Sequence, residues 1–226
     1  MTITKNASSG HKLGQLVGDW FEEHIALKQL EQVASSLGLY LDHRFRSREC
    51  RGDKIIWADR DGNAVDYDFV LELHGTDEKK GIPVAFFETF WRRGARHSKD
   101  KARDDSGKLM PMRATYPTTR LLGILSAGDF TKPAQELVKT RNIDLFYLPK
   151  EQICHAWRNN GIATHSIQQE SYADMEHQIS YEAIYSDGEI FERDKLSTQA
   201  ALELHTTVGQ VADYFTHYHK KNKAHG

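Results

Sequence analysis

The stretch Val65-Asp-Tyr-Asp-Phe-Val-Leu71, followed after a charged loop by Val84-Ala-Phe-Phe-Glu-Thr-Phe90, decides how the rest of the chain is read. Taken as a strand over 65–73, the first segment places Val65, Tyr67, Phe69, Leu71 and Leu73 on one face and Asp66, Asp68, Val70 and Glu72 on the other. The second belongs to a nearly continuous apolar run over 82–91, the pattern of a strand buried on both faces, and Glu88 interrupts it. An unpaired buried polar group costs on the order of 2–7 kcal/mol and an unpaired charge more, so Glu88 demands a partner. Neighbouring strands would bring Asp68 and Glu88 to one side of a sheet. There they would offer oxygen ligands to Mg²⁺ or Mn²⁺, a hard cation that takes one or two carboxylates together with water and phosphate oxygens. Such a pair fits phosphodiester hydrolysis, in which the ion polarises the scissile phosphate and acidifies the attacking water. The bland account of Glu88 is a salt bridge to Arg92, Arg93 or another base at the core edge.

Outward from this pair, apolar residues recur at helical spacing from Gly10 to Gly38, and Gly38 is a natural helix stop. At about 100° per residue, Glu23 is expected beside Leu16, Trp20 and Leu27 on the inner face, with Glu22 pointing away. Strands over 39–46 and 54–58 precede the 65–73 strand in an antiparallel meander, the last two joined by the turn Asp59-Arg-Asp-Gly-Asn63. A polar helix begins near His97, limited by Gly107 and Pro111. A buried strand over 120–127, a helix opened by Thr131 and Pro133, a strand over 143–148 and a helix over 149–160 then alternate as in an α/β layer. The expectation is one α/β domain over 1–226 with a mixed central sheet flanked by helices. Residues 162–226 form a helical C-terminal extension, with helices near 170–179 and 197–219.

The chain has 30 Lys and Arg against 32 Asp and Glu, so no global field holds it to a polyanion and any such site is a local patch. The patch is legible: Arg92, Arg93, Arg96, Lys99, Lys101 and Arg103 follow directly after Glu88. They could grip phosphates, or, with Asp100, Asp104 and Asp105 interleaved, form a solvated helix with ion pairs such as Lys101 to Asp105. Cys50 and Cys154 are too few for a disulfide framework, which suits a reducing compartment. No apolar run approaches the roughly 18 residues of a membrane span and the start lacks a signal-peptide core, so a cytoplasmic protein without membrane contact is expected. The histidines show no zinc spacing, and no phosphate-cradling glycine loop or nucleophile elbow is present.

Helix with an inward acid, strands carrying Asp68 and Glu88 about twenty residues apart, basic helix, further strand: over roughly residues 10–150 this order resembles the PD-(D/E)XK nuclease superfamily, which includes many restriction enzymes. Gly14-Gln-Leu-Val-Gly-Asp-Trp-Phe-Glu-Glu23 looks like the first core helix of that family, with Glu23 as its assisting acid. Asp68, with Asp66 as fallback, and Glu88 match the metal ligands. The resemblance implies a restriction-endonuclease-like core, a Mg²⁺-dependent DNA endonuclease with a restriction or defence role, double-stranded DNA as partner, and a homodimer, since two strands need two active sites. One departure matters: the family places Lys two residues after the second acid, and here that position is Phe90. Lys99 or Lys101, from the following helix, is expected to replace it, with Arg92 and Arg93 behind. The rival readings are a catalytically inactive nucleic-acid-binding module of the same fold and an interaction subunit of a larger complex.

Overall fold

The computed structural model describes residues 9–92 and 94–159; the expected extension over 162–226, with its helices near 170–179 and 197–219, lies outside the described residues. Those residues form a mixed α/β layer. Helix α1 (Ser9–Trp20) runs through one π-helical segment (Phe21–Ala26) into α2 (Leu27–Leu37). Gly38, in the left-handed region at φ 64°, ends α2 as expected, because a glycine has no Cβ to clash there. Then follow β1 (Tyr40–His43), β2 (Ile56–Ala58), β3 (Ala64–Asp66), β4 (Phe69–Leu73), β5 (Ile82–Arg92), α3 (Ser98–Thr115), β6 (Leu121–Gly128), α4 (Lys132–Thr140), β7 (Asp144–Pro149) and α5 (Lys150–Asn159).

Five strands make one sheet in the order β1-β4-β5-β6-β7; β1, β4 and β5 run antiparallel, and β5, β6 and β7 parallel. The parallel half follows from α3 and α4, which act as crossovers between strands that point the same way. On one face the α1–α2 helices and α5 cover Phe69, Leu71, Phe87 and Leu125. On the other, α3 and α4 cover Val70, Phe86, Phe90 and Ile124. The central strands are therefore buried on both sides, as the apolar run of β5 required. Gly123 on β6 has a packing reason: a Cβ there would meet the Phe87 ring at 2.5 Å.

Three expectations are corrected. The meander does not form, because β2 pairs only with β3 in a separate two-stranded ribbon while β1 pairs with β4. The single strand over 65–73 is two strands. Tyr67 still follows β2, donating its N–H to the Ile55 carbonyl, and its ring packs on Phe86 on the α3 face. Phe69 and Leu71 face the other way, so the alternation breaks at Tyr67-Asp68. Third, α3 runs through both Gly107 and Pro111 to Thr115. Proline clashes with the carbonyl four residues back and removes a donor; the burial of Ala102, Leu109 and Met112 on one face outweighs that.

Of the three acids expected on one face of the 65–73 strand, two are spoken for. Glu72 is fully buried and takes both terminal nitrogens of Arg48 (2.6 and 2.8 Å), with Asp42 adding a third contact at 2.7 Å. This bidentate arrangement anchors the loop between β1 and β2. Asp66 accepts the Ile55 N–H at 2.9 Å and lies 3.6 Å from Lys54. Asp68 is left for other work.

Candidate active site

β4 begins only at Phe69, opposite Phe87, while β5 continues to Arg92 alongside β6. On its β4 side, β5 therefore runs out of ladder partners after Phe87. Asp68 fills that gap: its Oδ2 accepts the Thr89 backbone N–H at 2.6 Å and the Thr89 hydroxyl at 3.0 Å. A buried backbone donor needs an acceptor, and here the acceptor fixes Asp68 at the point where the sheet opens. The neighbouring residue on β5 is Glu88, on the same face as Phe86 and Phe90.

Glu88 is 1% exposed. Its Oε2 accepts a hydrogen bond from Lys108 Nζ at 2.6 Å, and its Oε1 is buried with no hydrogen-bond partner. Burial, joined by the Asp68 charge, pushes the Glu88 carboxyl up to about 8, with Lys108 opposing. Lys108 itself is raised despite burial, because Glu88, Asp105 and Asp68 all surround it with negative charge. The Tyr67 hydroxyl donates to the Lys108 carbonyl at 2.8 Å, tying this turn of α3 to the strand break beside Asp68.

Asp105, one turn earlier on α3, is also fully buried; Lys101 Nζ donates to its Oδ1 at 2.6 Å and its Oδ2 has no partner. Its carboxyl is raised, chiefly by burial. Lys101 additionally lies over the Phe90 ring, 5.6 Å from its centroid. The residue that replaces the expected strand lysine is thus covered by a helix lysine.

The inward acid of the first helix is Glu22. It is buried, bonded to Arg44 Nε at 2.7 Å, and its carboxyl is pushed up to about 7, first by burial and then by Asp68. Glu23, expected to face inward, is exposed. The π-helical segment explains the reversal: the Leu27 N–H reaches back five residues to the Glu22 carbonyl, inserting a residue into the turn and shifting the phase that a uniform 100° step assumes. Asp68 therefore has an acid on each side of it, Glu22 from the α1–α2 layer and Glu88 on the α3 face.

The cations divide in the same concrete way. Lys99 is exposed; Lys101 engages Asp105, and among the described residues it is Lys108 that donates to Glu88. Arg103 pairs with Asp100 at 3.1 Å on the exposed side of α3, so part of the basic segment is the solvated, ion-paired helix face. Arg96 and Lys99 remain exposed, Arg92 is half-buried with its Nε lacking a partner, and Arg93 lies outside the described residues.

Lys108 was not named from the sequence, Asp105 was named only as the ion-pair partner of Lys101 that it proves to be, Glu22 was read as pointing away, and Thr89 was not named. A signal existed for the first two: Ala102, Leu109 and Met112 define the inner face of α3, and positions 105 and 108 fall on or beside it at helical spacing.

No group of three His, Cys, Asp or Glu side chains suited to a metal ion occurs among the described residues. Among the carboxylates around Lys108, Glu88 Oε1 and Asp105 Oδ2 are the buried oxygens without a hydrogen-bond partner.

No family model and no curated protein matches the chain. A solved structure described as that of a protein of unknown function, AF1548, aligns over 84% of this chain and 98% of its own length at 13% identity, with a TM-score of 0.39. Among the described residues no helix is long and apolar enough to cross a membrane.

Proposed function

We propose that this chain is a metal-dependent nuclease of the restriction-endonuclease-like kind, hydrolysing DNA phosphodiester bonds at Asp68 and Glu88 with Mg²⁺ or Mn²⁺. The observation that carries the reading is Glu88, a buried carboxylate whose one oxygen holds Lys108 and whose other is bare, next to an aspartate fixed by Thr89. A carboxylate is costly to bury, and a site that binds a cation only during function is a reason to retain one. Arrangements that shift pKa values by burial and charge cluster at functional sites.

In this reading Glu88 and Asp68 would hold the ion, which supplies Lewis acidity to the scissile phosphate. Lys108 takes the part that the motif lysine plays: an ammonium at the carboxylate, placed to orient the attacking water and to stabilise charge growing on the phosphoryl oxygens. The water oxygen would bond to phosphorus and give up a proton to solvent as the opposite P–O bond breaks, and the leaving oxygen would take up a proton from solvent. Glu22 assists through Asp68, whose charge it shares; Arg96 and Lys99 contact the phosphate backbone from outside. A restriction or defence role, and a homodimer cutting two strands, go with this reading.

Supercoiled plasmid and single-stranded DNA incubated with Mg²⁺, Mn²⁺ or EDTA test it. Metal-dependent cleavage is expected, absent in folded Glu88→Ala and Asp68→Ala proteins. Salt-sensitive DNA binding without cleavage would instead favour the inactive binding module.

A further inference from the structure

A cleft of about 640 Å³ opens at the opposite end of the parallel strands, where Arg120 precedes β6 and Ile143 precedes β7, walled by the last turns of α3 and α4. Glu88 is level with Ile124, so four residues of strand, roughly 13 Å, separate the carboxylate site from Arg120. We propose that this cleft binds a phosphorylated small molecule of nucleotide size.

Three of its lining side chains are cationic, Arg113, Arg120 and Lys139, against one carboxylate, Asp144, in a chain of net charge −2. Helix C-termini attract basic residues on their own account, and Arg113 is used that way, donating to the Asn142 carbonyl at 3.2 Å. Lys139 stands in the last turn of α4 in the same way, whereas Arg120 lies outside any helix. The Arg120 side chain is exposed and has no hydrogen bond or ion pair among the described residues; its backbone N–H, bonded to the Val84 carbonyl at 2.9 Å, holds it at the cleft. Lys139 reaches only Glu136, at 3.9 Å and with both side chains well exposed, a contact worth little. Beside Arg120, Thr119 also lines the cleft; it is 4% exposed and its Oγ1 is a buried hydroxyl without a hydrogen-bond partner. Pro117 and Ile143 supply an apolar wall. The volume falls within the roughly 300–1,000 Å³ of small-molecule sites, room for a nucleoside phosphate.

Calorimetric titration of the full chain with ATP, with pyrophosphate and with a short DNA duplex tests the assignment, with the Arg120→Ala/Lys139→Ala double variant alongside. Both side chains are exposed, so the fold is expected to survive, and circular dichroism checks it. ATP binding that weakens at least tenfold in the variant, and is not displaced by duplex, is the expected result. Pyrophosphate binding equal to that of ATP keeps the phosphate site and discards the apolar wall's role. Absence of binding at millimolar ATP, unchanged affinity in the variant, or displacement by duplex overturns the proposal. None of these readouts depends on nuclease activity, so this inference and the functional reading fail separately.

Discussion

Glu88→Gln isolates the buried carboxyl in one isosteric change. The folded chain holds the Glu88 proton up to about pH 8 against an ordinary value of 4.5. Between those values the native state binds more protons than the unfolded state, so stability falls as pH rises, at no more than about 1.4 kcal/mol per pH unit from this group. The stabilising contribution is complete below 4.5 and gone above 8. The two values bound the effect at about 5 kcal/mol. Lys108 compensates the charge, and its side chain is 42% exposed, which lets water screen the site; on the order of 2 kcal/mol at pH 9 is the expected gain of the glutamine variant over wild type. Urea denaturation from pH 5 to 9 without divalent ions measures it. The difference between the two proteins should be near zero at pH 5 and grow through pH 8. Because Glu22 contributes its own slope below about pH 7, the comparison is read as wild type minus variant. Parallel pH profiles for the two proteins would refute the claim that Glu88 is strained by burial.

Lys108→Met should leave the chain folded and lower metal-dependent cleavage about 10²-fold or more, the scale of losing one charge-stabilising donor, whereas Lys99→Met should change it less than threefold; single-turnover rates distinguish them. Glu22→Gln should flatten the pH dependence of stability below pH 7, as read by the same denaturation series; a slope equal to that of wild type would contradict its burial as the inward acid. Arg48→Met should cost about 3–5 kcal/mol, because Glu72 would be left buried without its cation, while Asp42 keeps Arg51; a thermal melt checks this, and a loss under 1 kcal/mol would contradict the anchoring role.

The layered architecture was legible because its signals are local and strong. The apolar run of β5, Thr131 and Pro133 at the start of α4, and Gly38 at the end of α2 each state their structure in a few residues. Glu88 was legible for the same reason, as a charge where none should be. What escaped was phase and pairing. One inserted residue in the π-helical segment exchanged Glu22 for Glu23, and nothing in Phe21-Glu-Glu-His-Ile-Ala26 announces it. The strand break at Tyr67-Asp68 arises because Tyr67 stays with β2 through a long-range bond to Ile55, a choice that periodicity does not encode. The lysine that contacts Glu88 lies on the helix where a cation was sought, but further along it than Lys99 and Lys101. Continuing the phase of Ala102, Leu109 and Met112 would have led to Lys108, had Gly107 and Pro111 not argued for ending the helix early.

The most direct test of the central claim is calorimetric titration of Mn²⁺ into the wild-type chain, Asp68→Asn and Glu88→Gln at pH 7.5. One ion per chain in wild type, with a proton released as Glu88 ionises and with binding weakened at least tenfold in both variants, is what a cation site at Asp68 and Glu88 predicts. One ion bound with equal affinity in all three proteins, or none in the wild type, would contradict it.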